Sequence, residues 1–195
     1  MNEKTRKKTN PEWTRDALLR RAESGFAEFG YSKTSIDEIV KQEQLTKGAV
    51  YYYFKDKRDL FEQVVNRLLN KMVDDITGAI EREEDPWRRV LSAVGKYLEG
   101  CLQPAYRNIV LREAPVILGW TAWREKEKQT VAGVSTLLLQ ELMEAGLIRK
   151  QPLDLLTGIL FGVITEAAIG IAESPDPAEA RQQAELILIR ILKSL

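Results

Sequence analysis

Residues 46–57 concentrate side chains that could bind a phosphate backbone. Thr46 could both cap a short helix and contact a phosphate, because the free amides at a helix N-terminus attract anions. Lys47 places a positive charge in the first turn, next to the positive end of the helix dipole, which is unfavourable. The negative charge of an anionic partner would offset this repulsion. Gly48 and Ala49 are small enough to let the helix approach a DNA groove closely. The pattern indicates a nucleic-acid contact made by the start of a short helix.

Four consecutive aromatic residues, Tyr51 to Phe54, follow that helix start. On a helix they point in all directions, so they cannot all be core residues. We expect Tyr51 and Phe54 to pack inward and Tyr52 and Tyr53 to face DNA. The alternative is ordinary helix packing, with the neighbouring lysines forming a solvated face.

Composition narrows the classes of protein that this chain can belong to. The 195 residues are 44% apolar and 30% charged, which fits one globular domain or two small ones. With 29 basic and 29 acidic residues the net charge is zero, so any contact with nucleic acid must be local. Residues 1–60 carry a net charge of +3, and residues 61–195 carry −3. The N-terminal part is therefore the better place to expect that contact.

The chain lacks the residues of the commonest active sites. It has no histidine, and its one cysteine, Cys101, excludes an internal disulfide and a CxxC pair. Neither a nucleophile paired with a base nor a glycine-rich phosphate loop is visible. We therefore expect no enzymatic activity, no metal site and no cofactor. The rival hypotheses are an enzyme in the helical body and a protein-interaction module with a non-DNA role.

Helical periodicity and capping residues predict an all-α fold of about nine helices. Thr14 is a candidate cap for the first helix, Ser35 and Glu38 form a capping box for the second, and Asp56 caps the fourth. The predicted helices are about 14–30, 35–42, 46–52, 56–81, 85–98, 104–115, 120–145, 152–174 and 177–193.

The first three helices form a helix-turn-helix pattern, and residues 15–65 resemble the DNA-binding domain of the tetracycline-repressor (TetR) family. The matching residues are Phe26, Phe29, Gly30, Thr34, Ser35, Ile39, Leu45, Thr46, Lys47, Gly48, Ala49, Val50, Tyr51, Tyr53, Phe54, Lys57 and Leu60. Two positions differ from the family pattern: Gln44 stands where a turn glycine is usual, and Tyr53 where histidine is frequent. The basic run Lys4 to Lys8 is either a minor-groove arm or a frayed end.

The resemblance implies a helix-turn-helix DNA-binding domain in residues 1–60 and a helical effector-binding and dimerisation domain in residues 61–195. It places a phosphate clamp at Lys57. It further implies a dimeric repressor that a small molecule releases from a palindromic operator. The candidate DNA-contacting residues are Thr34, Ser35, Thr46, Lys47, Gly48, Ala49, Tyr51, Tyr52, Tyr53, Lys55 and Lys57.

Residues 153–171 are apolar on every side of their predicted helix, so they must be covered on every side. A second copy of the chain, packing through a four-helix bundle with residues 177–193, would cover them. The alternative is an interior helix of a monomer. The apolar run Leu155–Ile171 is 17 residues long and is interrupted by polar side chains, so it predicts a core helix of a cytoplasmic protein. The candidate dimer residues are Leu156, Leu160, Ile164, Ala184, Ile187, Leu188 and Ile191.

Glu166 lies within this apolar helix, where an unpaired carboxylate would be costly. It is either a contact for a cationic or hydroxyl-bearing effector, or a structural group held by a salt bridge or a capping hydrogen bond, within the chain or across the dimer. Trp120 and Trp123 lie where the TetR family opens its effector pocket, although aromatic residues also serve as core packing. The candidate effector-binding residues are Cys101, Trp120, Trp123, Ile159, Gly162 and Glu166.

Overall fold

The computed structural model describes residues 11–42 and 45–195, and within them the fold is all-α, as predicted. The described part contains ten α-helices, one π-helix and no strand. The α-helices are α1 (Pro11–Lys33), α2 (Ile36–Gln42), α3 (Lys47–Tyr53), α4 (Lys57–Ile80), α5 (Pro86–Cys101), α6 (Ala114–Ile117), α7 (Trp120–Gln129), α8 (Val131–Glu144), α9 (Leu153–Glu173) and α10 (Pro177–Lys193); the π-helix is Tyr106–Glu113.

The predicted caps set the starts of the short helices. The Ser35 hydroxyl accepts from the Glu38 amide at 3.2 Å, and the Glu38 carboxylate accepts from the Ser35 amide at 3.1 Å. Thr46 Oγ1 accepts from the Ala49 amide at 3.2 Å, which fixes the start of α3. The Asp56 carboxylate does the same for α4. These starts follow from local hydrogen bonding, which is why the sequence predicts them.

The first helix starts earlier than predicted and breaks at Gly30, where it was predicted to end. It extends back to Pro11, so Thr14 lies inside the helix and is buried instead of capping it. Gly30 interrupts the helix with φ of 81°, a left-handed value that glycine adopts at little cost. Phe29, expected on the apolar stripe, is mostly exposed.

Two predicted helices are divided in the structure. The predicted helix 120–145 breaks at Thr130, whose φ and ψ are −119° and −100°. The Thr130 hydroxyl donates to the Lys126 carbonyl at 2.6 Å, and such side-chain bonds compete with the helical backbone ladder. The predicted helix 104–115 becomes the π-helix followed by α6, with Pro115 in the first turn of α6, where no amide is needed.

Helix α4 joins the N-terminal helices to the rest of the molecule. It packs against α1 on one side and α5 on the other. At the α1 contact, the rings of Phe26 and Phe61 meet edge to face with centroids 5.2 Å apart. The predicted boundary between residues 60 and 61 therefore falls inside one continuous helix.

Helix α9 is the one described helix that is long and apolar enough to span a membrane by length and composition. One of its sides is buried against α5, α8 and α10, where Leu156, Leu160 and Ile164 join the common core.

Candidate functional site

Helix α3 presents two tyrosines to solvent. Tyr52 is 79% exposed and Tyr51 is 55% exposed, while Val50 and Phe54 are buried and hold the helix on the core. The expectation that Tyr51 packs inward is therefore wrong, because four consecutive helical positions cannot all reach one side and Val50 takes the inward place. Tyr53 is half-buried, with its ring against that of Tyr52 at 4.8 Å. Tyr51 and Tyr52 are thus free to meet a partner.

The start of α3 is also accessible. Thr46, Lys47 and Gly48 are exposed, and Ala49 is half-buried. Lys47 Nζ lies 2.7 Å from the Asp37 carboxylate of α2, an exposed ion pair that costs little to break.

Thr34 and Ser35 use their hydroxyl groups within the protein. Thr34 is buried, its hydroxyl donates to the Gly30 carbonyl at 2.8 Å, and its methyl group packs against Gly25. The prediction that Thr34 contacts DNA is therefore wrong for its side chain. Ser35 is half-buried, and its hydroxyl is bonded within the capping box with Glu38.

The lysines that follow α3 differ in their surroundings. Lys55 is exposed, and its backbone amide donates to Asp59. Lys57 lies against the protein, with its Nζ 4.4 Å from the centre of the Tyr31 ring and 3.5 Å from the Ser32 carbonyl. Partial burial lowers the pKa of Lys57, opposed by the charges of Glu113 and Glu38. Lys57 must leave the Tyr31 ring to serve as the predicted phosphate clamp. Lys4 to Lys8 and Gln44 lie outside the described residues.

A small apolar cavity lies among α4, α5, α8, α9 and α10. Its volume is about 40 Å³, so a ligand larger than a few atoms must displace side chains to enter. Its lining is almost entirely hydrophobic: Ile76, Val90, Ala93, Val94, Tyr97, Val131, Val134, Ser135, Leu138, Leu139, Leu160, Phe161, Ile164 and Leu192. None of the six predicted effector-binding residues is in this lining.

Beside the cavity lies a buried polar cluster, which we define as Tyr97, Cys101, Tyr106, Trp123 and Glu127. All five side chains are nearly or fully buried. Burial raises the pKa of Cys101 to about 12 and that of Glu127 to about 8. Burial also raises the pKa of Tyr97 and Tyr106, so both phenols are neutral near pH 7. Two predicted effector-binding residues, Cys101 and Trp123, belong to this cluster.

Sequence reasoning missed Glu127 and chose Glu166 as the buried carboxylate. Glu166 is exposed, whereas Glu127 is fully buried. Glu127 has charged neighbours in the sequence, and that pattern predicts a solvent-exposed side chain. One signal could have identified it. Trp123, Glu127 and Val131 are spaced four residues apart, which places all three on the same apolar side of the predicted helix 120–145.

Comparison with known proteins finds a matching family model for each of the two parts of the chain. The family model described as "Bacterial regulatory proteins, tetR family" matches residues 18–64. The model described as "Tetracyclin repressor-like, C-terminal domain" matches residues 87–195, which is more than half of the chain. The chain belongs to the TetR family. It is a DNA-binding transcriptional regulator, a class that is typically non-enzymatic.

Two relatives resemble the chain along most of their length, and a third resembles it over a short stretch. A crystal structure of a TetR-family transcriptional regulator from Pectobacterium atrosepticum is 31% identical, with a TM-score of 0.81 and 95% of each chain covered. The Transposon Tn10 TetC protein of Escherichia coli is 26% identical over 195 residues, 100% of this chain and 98% of that one. The regulator AcrR of Shigella flexneri is 45% identical over 51 residues, 26% of this chain and 24% of its own.

This TetR-family chain exposes a different side of α9 from the one predicted. Of the proposed dimer residues, Leu156, Leu160, Ile164 and Leu188 are buried within their own chain, Ala184 and Ile191 are half-buried, and Ile187 is exposed. We define the outer face as the exposed residues Leu155, Gly158, Ile159, Gly162, Val163 and Glu166 of α9 with Leu186 and Ile187 of α10.

Three predicted effector residues therefore lie on the outer face: Ile159, Gly162 and Glu166. Trp120 is also mostly exposed, with its ring 4.9 Å from that of Trp123. The assignment of Ile159, Gly162 and Glu166 to an internal pocket is wrong, because the helix turns them away from the core.

Proposed function

We propose that this TetR-family regulator is a homodimeric repressor that binds a palindromic operator and is released by a small-molecule effector. Residues 1–60 form the DNA-binding domain, residues 61–195 bind the effector and the second copy, and the protein works in the cytoplasm without a cofactor. The observation that carries the proposal is α3, a capped helix whose exposed side holds Tyr51 and Tyr52.

The DNA contact is supported by what α3 offers at its start and along its exposed side. The free amides behind the Thr46 cap and the Lys47 ammonium suit phosphate groups. Tyr52, the more exposed of the two outward tyrosines, can reach base edges in the major groove. Lys55 and Lys57 flank the helix and supply contacts that are independent of sequence.

The dimer is supported by the outer face of α9 and α10. Leu155, Ile159 and Val163 follow one another at four-residue intervals, and all three are exposed large apolar residues. A Cβ added at Gly158 or Gly162 would meet nothing within 4 Å, so a second helix has room to approach closely. Two DNA-binding domains are needed because one short helix contacts few base pairs. In a dimer the two recognition helices must reach half-sites about 34–36 Å apart.

Effector release is supported by the hydrogen bonds that join the helical body, residues 61–195, to the DNA-binding domain, residues 1–60. Asn108 Nδ2, on the π-helix, donates to the Ala27 carbonyl at 2.9 Å. Arg58, at the start of α4, donates to the carbonyl oxygens of Ile117 and Leu118, each at 3.2 Å. The π-helix also contributes Tyr106 to the buried polar cluster. A ligand that moves the π-helix would shift α1, and effector and DNA affinities would then oppose each other reciprocally.

The test is a selection from random DNA duplexes with the full-length protein. We expect the retained sequences to share an inverted repeat whose half-sites are about 10 base pairs apart or a multiple of that. Binding to the selected duplex should fall steeply with salt and exceed binding to a scrambled duplex by about 10³-fold or more. Retained duplexes without a shared sequence, or binding that ignores salt, would overturn the proposal.

A further inference from the structure

Glu127 is a buried carboxylate with one charged neighbour. Its side chain is fully inaccessible, and neither carboxylate oxygen makes a close hydrogen bond among the described residues. The Arg124 guanidinium is its ion-pair partner, with Nη1 3.6 Å from Oε2, and it lowers the pKa of the carboxyl against the effect of burial. Oε1 has no such partner, so a second donor can bind there.

One other polar atom of the cluster lacks a partner. Trp123 Nε1 is buried and makes no hydrogen bond with the described residues. The Tyr106 hydroxyl, by contrast, interacts with that of Tyr97, which lies 3.1 Å from Thr165 Oγ1. An unused indole N–H in the same cluster as a buried carboxylate calls for an explanation, and a bound molecule would supply one.

Aromatic rings surround the same cluster. The Tyr97 ring packs edge to face on the Tyr106 ring at 6.3 Å and tilted against the Phe161 ring at 5.5 Å. Aromatic faces attract cations, and that attraction is greatest where water is excluded. The surroundings of Glu127 therefore suit a positively charged or donor-bearing group and disfavour an anion.

The cluster shares one residue, Tyr97, with the lining of the apolar cavity. Tyr97 and Phe161 line the cavity, and Tyr97 belongs to the cluster as well. A ligand could therefore place its apolar body in the cavity and its polar end against Glu127. Its body must be slim or must displace side chains, since the space now open is about 40 Å³.

We propose that Glu127 binds the ammonium group of an amphiphilic amine whose hydrocarbon body occupies the cavity among α4, α5, α8, α9 and α10. This assignment rests on the proposed function, because it names the chemical class of the effector. The ammonium group supplies the donors that the carboxylate lacks, and the Tyr97, Tyr106 and Phe161 rings stabilise its charge.

Binding of an amine at this site is coupled to the ionisation of Glu127. Burial raises the pKa of this carboxyl to about 8, against the opposing charge of Arg124. The other titratable groups that face it are Tyr97 and Cys101 from α5 and Tyr106 from the π-helix, and all three stay neutral below pH 9. An ammonium ion must displace the Glu127 proton, so its affinity rises with pH until that carboxyl is ionised.

The experiment compares n-octylammonium with 1-octanol, which has the same hydrocarbon chain without the charge. Titration calorimetry of the full chain at pH 6, 7 and 8.5 should show octylammonium affinity rising about tenfold from pH 6 to pH 7 and levelling off above pH 8. The amine itself remains charged over this range. Octanol affinity should not change with pH.

Glu127→Gln keeps the size of the side chain and removes its charge. At pH 8.5 this variant should bind octylammonium at least tenfold more weakly, without pH dependence, and should bind octanol as the wild type does. Glu125→Gln, an exposed carboxylate on the same helix and away from the outer face, is the matched control and should behave as wild type. Near-ultraviolet circular dichroism checks that the variants keep their packing.

Three results would overturn the assignment: equal pH profiles for the two probes, full octylammonium affinity in Glu127→Gln, or no binding of octylammonium to the wild type. The selection from random DNA is independent of these titrations. Operator binding without a Glu127-dependent amine site would disprove the amine-binding proposal and leave the repressor proposal standing. An amine site without operator binding would remove the repressor proposal alone.

Discussion

The Glu113 carboxylate accepts the backbone amide of Tyr31, with both oxygens 2.9 Å from that nitrogen. Glu113 ends the π-helix, and Tyr31 follows the break at Gly30 in α1. A Cβ added at Gly30 would lie 2.9 Å from Glu113 Oε1, so the carboxylate fits closely against the half-buried glycine backbone. One hydrogen-bonded contact thus joins the end of the first DNA-binding helix to the body.

Glu113→Ala should destabilise the protein by about 1–3 kcal/mol, because it leaves the half-buried Tyr31 amide without its charged acceptor. Glu99→Ala removes an exposed carboxylate paired with Lys96 on the same helix, and it should change stability by less than about 0.5 kcal/mol. Urea denaturation of both variants measures the difference. Equal stabilities would mean that the Tyr31 contact contributes nothing.

Tyr52→Ala should reduce discrimination between operator variants by about 1–3 kcal/mol, since its exposed side chain faces base edges in the proposed complex. Trp120→Ala removes an exposed aromatic residue from the body and is the control. Fluorescence anisotropy with single-base operator variants measures both. Unchanged affinity and base preference in Tyr52→Ala would contradict the assigned role of Tyr52.

Lys57→Ala should weaken binding to all DNA duplexes alike and lower the salt slope by about one, because the side chain contacts a phosphate in the proposed complex. Lys128→Ala, a change on α7 in the body, should leave the slope as it is. A slope that is the same in both variants would contradict the assigned contact of Lys57 with a phosphate.

Ile159→Glu should separate the dimer into monomers that remain folded, because it places a charge on the outer face and not in the core. Wild type should sediment at twice the chain mass of 22.2 kDa. Leu137→Glu changes an equally exposed apolar residue on α8 and should remain dimeric. A wild-type monomer at micromolar concentration would remove both the dimer and the palindromic operator.

Stability should fall as pH rises from 6 to 8. The folded state keeps the Glu127 proton up to a pKa of about 8, whereas the unfolded chain loses it near 4.5. Between these values the folded state binds more protons, so raising the pH favours unfolding, by about 2–3 kcal/mol between pH 6 and pH 8. The chain has no histidine to obscure the effect.

Glu127→Gln should remove most of that pH dependence, since glutamine does not titrate. Thermal denaturation at pH 6, 7 and 8 compares the variant with wild type, and Glu125→Gln serves as the exposed control. A wild-type melting temperature that does not change over this range would contradict the buried position of an ionisable Glu127.

The helix-turn-helix and the starts of α2, α3 and α4 could be predicted from the amino-acid sequence. Ser35, Thr46 and Asp56 cap through hydrogen bonds to residues three positions away, so their effect is local. The fold class followed from periodicity for the same reason. The Thr130 break was not predictable from periodicity, because threonine also occurs within unbroken helices.

Only the tertiary structure decided which residues face the core. Helix α9 is apolar on all sides, so periodicity cannot orient it, and packing against α5, α8 and α10 buries Ile164 while leaving Ile159 outside. The same holds for the two carboxylates. Glu166 lies in an apolar segment and is exposed, and Glu127 lies in a charged segment and is buried, because burial depends on what the neighbouring helices cover.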